Sequence, residues 1–254
     1  MISIAERYKF ILDSLKKDGF IKVIDMAKAL EVTTVTIRKD LKYLEDKKLL
    51  YRTHGSASPI NPIAPEMNVI EKEKMKKNEK ERIAVAACNL IEDNDSIIIA
   101  SGSTVYTFAE NIKPIKHLTV VTASLKVSIL LNELNNVDVV QLGGTVRKNS
   151  VSVFGEYTTR FFEDITCSKL FLGVDGIDIE TGITNSNIEE AQLNKRMMHA
   201  SLKTIILADS SKFGRRGFGK ICNLDQVDVI ITDSGISESM AKMIEETGIE
   251  LIIV

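Results

Sequence analysis

From residue 96 onward, short apolar runs alternate with segments of helical periodicity, and this alternation limits the possible folds more than any other feature. Strands are expected at 96–100, 118–122, 137–142, 169–174, 204–208, 227–232 and 250–254. Helices are expected at 105–112, 126–134, 155–162, 189–201 and 237–247. Runs such as Ile97-Ile98-Ile99 and Val229-Ile230-Ile231 are apolar without a break, as strands must be when helices cover both faces of their sheet. The pattern predicts an α/β domain with a mainly parallel sheet covered by helices. Ligands on such sheets sit beyond the C-terminal ends of the strands.

The first part of the chain reads differently. Thr33 can cap a helix, and Ile37, Leu41 and Leu44 then recur as one apolar stripe. The other positions carry Thr34, Thr36, Arg38, Lys39 and Lys42, short hydroxyls and long cations suited to base edges and phosphates in a major groove. A solvated amphipathic helix has the same pattern, so the neighbouring residues carry weight. Ser3 and Glu6 have capping-box spacing, Ile4, Tyr8, Ile11, Leu12 and Leu15 follow at helical spacing, and Gly19 offers a stop. A second helix is expected over 24–30, with Ala27 allowing close contact, and Glu31-Val32 forms a tight turn into the Thr33 helix. This is a helix-turn-helix arrangement. Residues 48–57 suggest a small hairpin wing that brings Arg52 and His54 near a phosphate backbone. Residues 1–57 are therefore expected to be a winged helix-turn-helix domain that binds double-stranded DNA.

Charge divides the chain in the same place. Residues 1–56 hold 12 Lys and Arg against 8 Asp and Glu, whereas the remainder holds 21 against 27. A basic head on an acidic body suits nucleic-acid binding by the head alone. Pro59, Pro62 and Pro65 suggest an extended tether, and a linker is expected over 58–81. The lysines at 72, 74, 76, 77 and 80 within it are expected on a solvated helix face. From Arg82, the residues Ile83, Ala86, Ala87, Leu90 and Ile91 point a helix into the core of a second domain, 82–254. No apolar run approaches the roughly 18 residues that cross a bilayer, and no signal-peptide pattern is present, so a cytoplasmic protein is expected. Cys88, Cys167, Cys222 and the three histidines lack metal-ligand spacing, and no metal or cofactor is expected.

Several polar loops fall at the expected C-terminal edge of the sheet. Ser101, Gly102, Ser103 and Thr104 join a strand to a helix start, where N–H groups and the helix dipole favour an anion. Thr122 and Ser124 repeat that placement. Gly143 and Gly144 lead to Arg147, whose guanidinium can fork onto phosphate. Asp175, Gly176 and Asp178 end another strand, Glu190 opens a helix, and Lys212 follows a further strand. A turn or a cap explains each one singly. Together they would make one site, with carboxylates for hydroxyls and cations for a phosphate.

The head residues Val32-Thr33, Thr36-Ile37-Arg38-Lys39-Asp40-Leu41, Leu49-Leu50 and Arg52-Thr53-His54-Gly55 resemble the DNA-binding head of DeoR-type bacterial repressors. Gly102-Ser103-Thr104, Gly143-Gly144, Asp175-Gly176-Ile177-Asp178, Glu190-Ala191 and Asp209-Ser210-Ser211-Lys212-Phe213-Gly214 resemble that family's sensor domain, so the likeness spans nearly the whole chain. It departs at Ser56, where a second glycine is usual, at Ala100, where Asp is frequent, and at Ala123, where Asn is common. The sensor is similar to ribose-5-phosphate isomerase. The resemblance implies a phosphorylated sugar or sugar derivative as effector and operator DNA as partner, and two heads on a two-fold axis would make a homodimer or tetramer. An isomerase carrying a helix-turn-helix appendage is the alternative. Thr181-Gly182-Ile183-Thr184 stands where the isomerase has its Lys-Gly-Gly-Gly turn, and a binding site without catalysis is expected.

Overall fold

The computed structural model describes residues 2–18, 20–53, 55–58, 62–113 and 116–254. The expected helix stop at Gly19, the wing residue His54 and the tether residue Pro59 lie outside the described residues. The chain divides into two compact units, Met1–Ile63 with Ser237–Met243, and Ala64–Ile236 with Ile244–Val254.

In the head, α1 (Ile4–Asp18), β1 (Ile21–Lys22), α2 (Val23–Ala29), α3 (Thr34–Asp46), β2 (Tyr51–Thr53) and β3 (Ser56–Ser58) follow in order. The capping box forms as expected: the Ser3 N–H donates to Glu6 at 2.9 Å and the Glu6 N–H to Ser3 Oγ at 3.3 Å. Ile11, Leu15, Val23, Met26, Ala27, Leu30, Ile37, Leu41 and Leu44 bury one shared core. Ile4, expected on the apolar stripe of α1, is instead exposed, as is Ile24. Helix α2 starts at Val23, one residue before the expected boundary, and turns Val23 rather than Ile24 inward. Glu31, at φ 52°, makes the turn between α2 and α3, and the Val32 N–H closes it on the Ala27 carbonyl at 3.0 Å. The wing has one strand more than a hairpin, because β1 pairs with β3 opposite β2.

In the body, α4 (Val69–Glu73) and α5 (Lys77–Cys88) precede β4 (Ser96–Ile99), α6 (Ser103–Asn111), β5 (Leu118–Thr122), α7 (Leu125–Leu131) and β6 (Val137–Gln141). The hairpin β7 (Thr145–Arg147) and β8 (Ser152–Phe154) leads through α8 (Glu156–Arg160) to β9 (Cys167–Gly173), β10 (Gly176–Asp178), β11 (Gly182–Asn185) and α9 (Ile188–His199). Then come β12 (Ser201–Leu207), β13 (Gly219–Cys222), β14 (Val229–Thr232) and β15 (Glu250–Ile253), with α10 (Glu238–Glu245), most of which belongs to the first unit, between the last two in the chain. Among the described residues, the seven expected strands form one sheet in the order β15-β14-β12-β9-β4-β5-β6, and every pairing in it is parallel. Its central strands bury Ile97–Ile99 and Leu170–Leu172 completely.

From β4 the chain moves outward through β5 and β6, then returns to place β9 on the other side of β4. This reversal opens a crevice beyond the C-terminal ends of β4 and β9. A second, antiparallel sheet in the order β10-β11-β13 lies next in the chain after β9.

The expected linker needs correction. Residues 64–81 belong to the body: Ala64, Val69 and Lys80 are buried. Backbone bonds run from Ala64 N–H to Arg216 O at 2.9 Å and from Val69 N–H to Asn149 O at 2.8 Å. The lysine run does not form one solvated face either. Lys80 turns inward and donates to the carbonyl oxygens of Lys72 and Met75.

Candidate functional site

In the head, Thr33 caps α3 by accepting from the Thr36 N–H at 3.2 Å, and the two threonine hydroxyls lie 3.0 Å apart. These hydroxyls therefore stabilise the helix start. Burial of Ile37, Leu41 and Leu44 leaves Thr34, Val35, Arg38, Lys39 and Lys42 on the opposite face. Val35, Arg38, Lys39 and Lys42 are exposed. No carboxylate among the described residues pairs with those three cations. Val35 was not among the expected contacts, and it presents methyl groups beside the cations.

Asp40 ties this helix to α1. It lies buried on the inner face and accepts from Arg7 Nε at 2.6 Å and Nη2 at 2.9 Å. Arg52 is only partly available, since its Nη1 lies 3.6 Å from Glu45 and its N–H donates to the same carboxylate. Arg38, Glu45 and Arg52 line a groove between α3 and the wing.

In the body, the crevice beyond β4 and β9 is lined by Ser101, Gly102, Ser103, Thr104, Asp175, Glu190 and Lys212, together with Lys72 and Asn185. Gly102 precedes α6 at φ 140°. The first intrahelical bond of α6 runs from Tyr106 N–H to Gly102 O, so the N–H groups of residues 103–105 begin the helix without intrahelical acceptors. An adjoining recess shares Lys72, Gly102 and Glu190 and adds Glu66, Arg147, Asn149 and Ser186.

The charges in this cleft are organised in pairs. Asp175 accepts from Lys72 Nζ at 2.5 Å and from both the N–H and hydroxyl of Ser186 at 2.9 and 2.7 Å. Burial opposes its ionisation, but Lys72 and Ser186 outweigh burial and hold its carboxyl below the ordinary range. Glu190 accepts from Ser101 Oγ at 2.8 Å and from Arg147 at 3.0 Å. Its burial dominates and pushes its carboxyl upward, with Asp175 adding to the effect. Arg147 also donates to Glu66, as does Asn149 at 2.6 Å. Asn185, almost fully buried, has an Oδ1 with no hydrogen-bond donor among the described residues. None of the described carboxylates pairs with Lys212.

Six of the expected site residues are not brought to the cleft. Thr122 donates to the Ile99 carbonyl at 2.7 Å, and Ser124 caps α7. Gly143 offers its carbonyl to Thr158 at 2.7 Å, while a Cβ on Gly144 would strike Thr158 and the Phe154 carbonyl. Gly176 packs against the Arg215 carbonyl with no room for a side chain. Asp178 accepts from Glu180, Thr181 and Arg216, all on its Oδ1, which fixes a turn. Glu66, Lys72, Asn185 and Ser186 join the site without having been expected there. Only the charge run around Lys72 gave any signal, and it reads as solvated until Asp175 is placed beside it.

Two family models match this chain: the DeoR-like helix-turn-helix domain over residues 7–62 and the DeoR C terminal sensor domain over residues 75–234. The uncharacterised HTH-type transcriptional regulator YulB of Bacillus subtilis (strain 168) is 35% identical, covering 99% of this chain and 97% of its own. The lactose phosphotransferase system repressor of Lactococcus lactis subsp. lactis is 35% identical, covering 91% of each chain. Among solved structures, ribose 5-phosphate isomerase A from Methanocaldococcus jannaschii is 16% identical over 54% of each chain, with a TM-score of 0.39. Both domains of the chain match the family and its relatives match nearly end to end: the protein belongs to the DeoR family of DNA-binding transcriptional regulators, not to the enzymes.

Proposed function

We propose that this regulator represses a carbohydrate-utilisation operon and is controlled by a phosphorylated sugar bound in the body's cleft. The observation that carries this reading is the meeting of unlike groups in one crevice. Lys212 and the start of α6 offer positive charge and N–H groups for a phosphate. Asp175, Glu190 and the unpartnered Asn185 Oδ1 offer acceptors for hydroxyl groups. Lactose phosphotransferase system repressors among the relatives support the same reading. Thr34, Arg38, Lys39 and Lys42 are the proposed operator contacts, with Arg52 a lesser one because Glu45 holds it.

Two copies of the head are needed to read repeated half-sites, so a homodimer or tetramer is proposed. The place of action is the cytoplasm; no helix among the described residues is long and apolar enough to cross a membrane. Control follows from linkage. A ligand that prefers the conformation with lower operator affinity releases DNA by its differential affinity, and tenfold release needs only about 1.4 kcal/mol.

The test is a thermal-shift screen of the full chain against pentose and hexose phosphates, followed by operator titration with each stabilising compound. Binding to the native state must raise its melting temperature. Lys212→Ala and Asp175→Asn are expected to keep operator affinity and to lose release by the effector. Variants released at the wild-type ligand concentration would remove these residues from the site. Turnover of a sugar phosphate above background would overturn the non-catalytic reading.

A further inference from the structure

We infer that Glu66 is a specificity-determining residue, a built-in carboxylate on Arg147 that makes the cleft select sugars with one phosphate over sugars with two. The inference rests on the reading of the cleft as a sugar-phosphate site. It concerns the end of the cleft away from Lys212, where Arg147, Glu66 and Asn149 lie in the adjoining recess.

Three facts about that end support it. First, Glu66 sits on a segment held at both sides, by the Ala64 N–H on Arg216 O and the Val69 N–H on Asn149 O. Its carboxylate is presented by anchored backbone, so it competes for Arg147 without the entropy cost of an independent anion. Second, Arg147 lies half-buried between two carboxylates, Glu66 on one amino group and Glu190 on the other, with a side chain only 13% exposed. Both amino groups of the fork that would hold a second phosphate are already engaged. Third, the recess and its rim hold three carboxylates (Glu66, Glu190 and Asp175) against two cations (Arg147 and Lys72). A neutral polyhydroxyl end donates to these carboxylates. A second phosphate meets them as a like charge, partly out of water.

Lys212 and the start of α6 carry no such internal competitor among the described residues. The cleft thus has one end open to an anion and one end already neutralised. Charge at the far end of the ligand, rather than its length, is what Glu66 penalises.

The experiment measures calorimetric affinities of the full chain for matched pairs that differ in one phosphate: fructose 6-phosphate with fructose 1,6-bisphosphate, and glucose 6-phosphate with glucose 1,6-bisphosphate. Wild type is expected to favour the monophosphate of the pair it binds. Glu66→Gln keeps the shape and removes the charge, and it is expected to shift the ratio toward the bisphosphate by about tenfold, the scale of a charge-assisted contact. Glu66→Ala serves as the second variant and shifts the ratio the same way.

A merely structural role would weaken both ligands together and leave the ratio unchanged, and that result overturns the inference while the sugar-phosphate reading stands. A wild-type preference for the bisphosphate overturns it as well. Wild type that binds neither member of either pair removes the reading beneath it for these sugars, and the inference falls with it.

Discussion

Replacing Asp40 by Asn tests whether a buried ion pair, and not the outer face alone, makes the head competent for DNA. Arg7 and Asp40 meet in a bidentate pair at 2.6 and 2.9 Å, with side chains only 11% and 6% exposed. The carboxylate holds Arg7 charged, raising its pKa through the shared hydrogen bond against the opposing effect of burial. Asn keeps the volume but leaves the guanidinium without a counter-charge. Stranding one partner of a buried pair costs about 3–5 kcal/mol, and the slight exposure of Arg7 places this case near about 3 kcal/mol. A head of this size is stabilised by only about 3–9 kcal/mol. Each kcal/mol moves the midpoint of so small a unit by about 4–8 °C, so the head's transition should fall by about 12–24 °C.

The assay is thermal unfolding of the full chain, read in the near-ultraviolet circular dichroism of the stacked Tyr8–Tyr43 pair, whose ring centroids lie 5.0 Å apart. Operator titration is run at the same temperatures. Removing both charges, with Arg7→Met and Asp40→Leu together, should restore most of the stability. If Asp40→Asn melts within about 2 °C of wild type, the pair contributes less than the argument requires. If that variant keeps its fold and its operator affinity, α3 is oriented by packing alone.

Other expectations follow from the same structure. Arg38→Ala should cost about 1–3 kcal/mol on the operator and little on random DNA if it reads a base; equal losses by titration on both would make it a phosphate clamp. Thr33→Ala removes the α3 cap and should cost about 1 kcal/mol in denaturant unfolding. Burial lowers Lys80 to about 8 from its ordinary 10.5, so between those pH values this residue binds more protons in the unfolded chain than in the folded one. The Lys80 contribution to stability should therefore rise with pH across that window, against the opposite contribution of the buried Cys88, Cys167 and Cys222 thiols, and Lys80→Met should lose that rising contribution, read as the difference between the two proteins in chemical unfolding at stepped pH.

The main sheet was legible because burial is written locally. Ile97–Ile99 and Val229–Ile231 leave no polar face, so each had to become a strand covered on both sides, and the seven runs read from the chain are the seven strands observed. Helix α3 was legible for a similar reason: a cap at Thr33 and a stripe through Ile37, Leu41 and Leu44 are spaced by the helix itself. The loops Ser101–Thr104, Asp175 and Lys212 were placed together by the rule that parallel strands end at one edge. Asp178 and Thr122, equally polar and equally well spaced, were spent on structural bonds, one within its own turn and the other to the Ile99 carbonyl of the neighbouring strand, which spacing does not reveal.

Ion pairing is another matter. Lys72 meets Asp175 across 103 residues and Arg7 meets Asp40 across 33. A charged side chain has no periodicity that names its partner, so a lysine bound for solvent and one bound for a buried carboxylate look alike in the chain. Local patterns state which atoms must leave water; the path of the folded backbone assigns which charges meet once they have left it. That path gave Glu66 its place on Arg147 and turned an expected linker into a wall of the cleft.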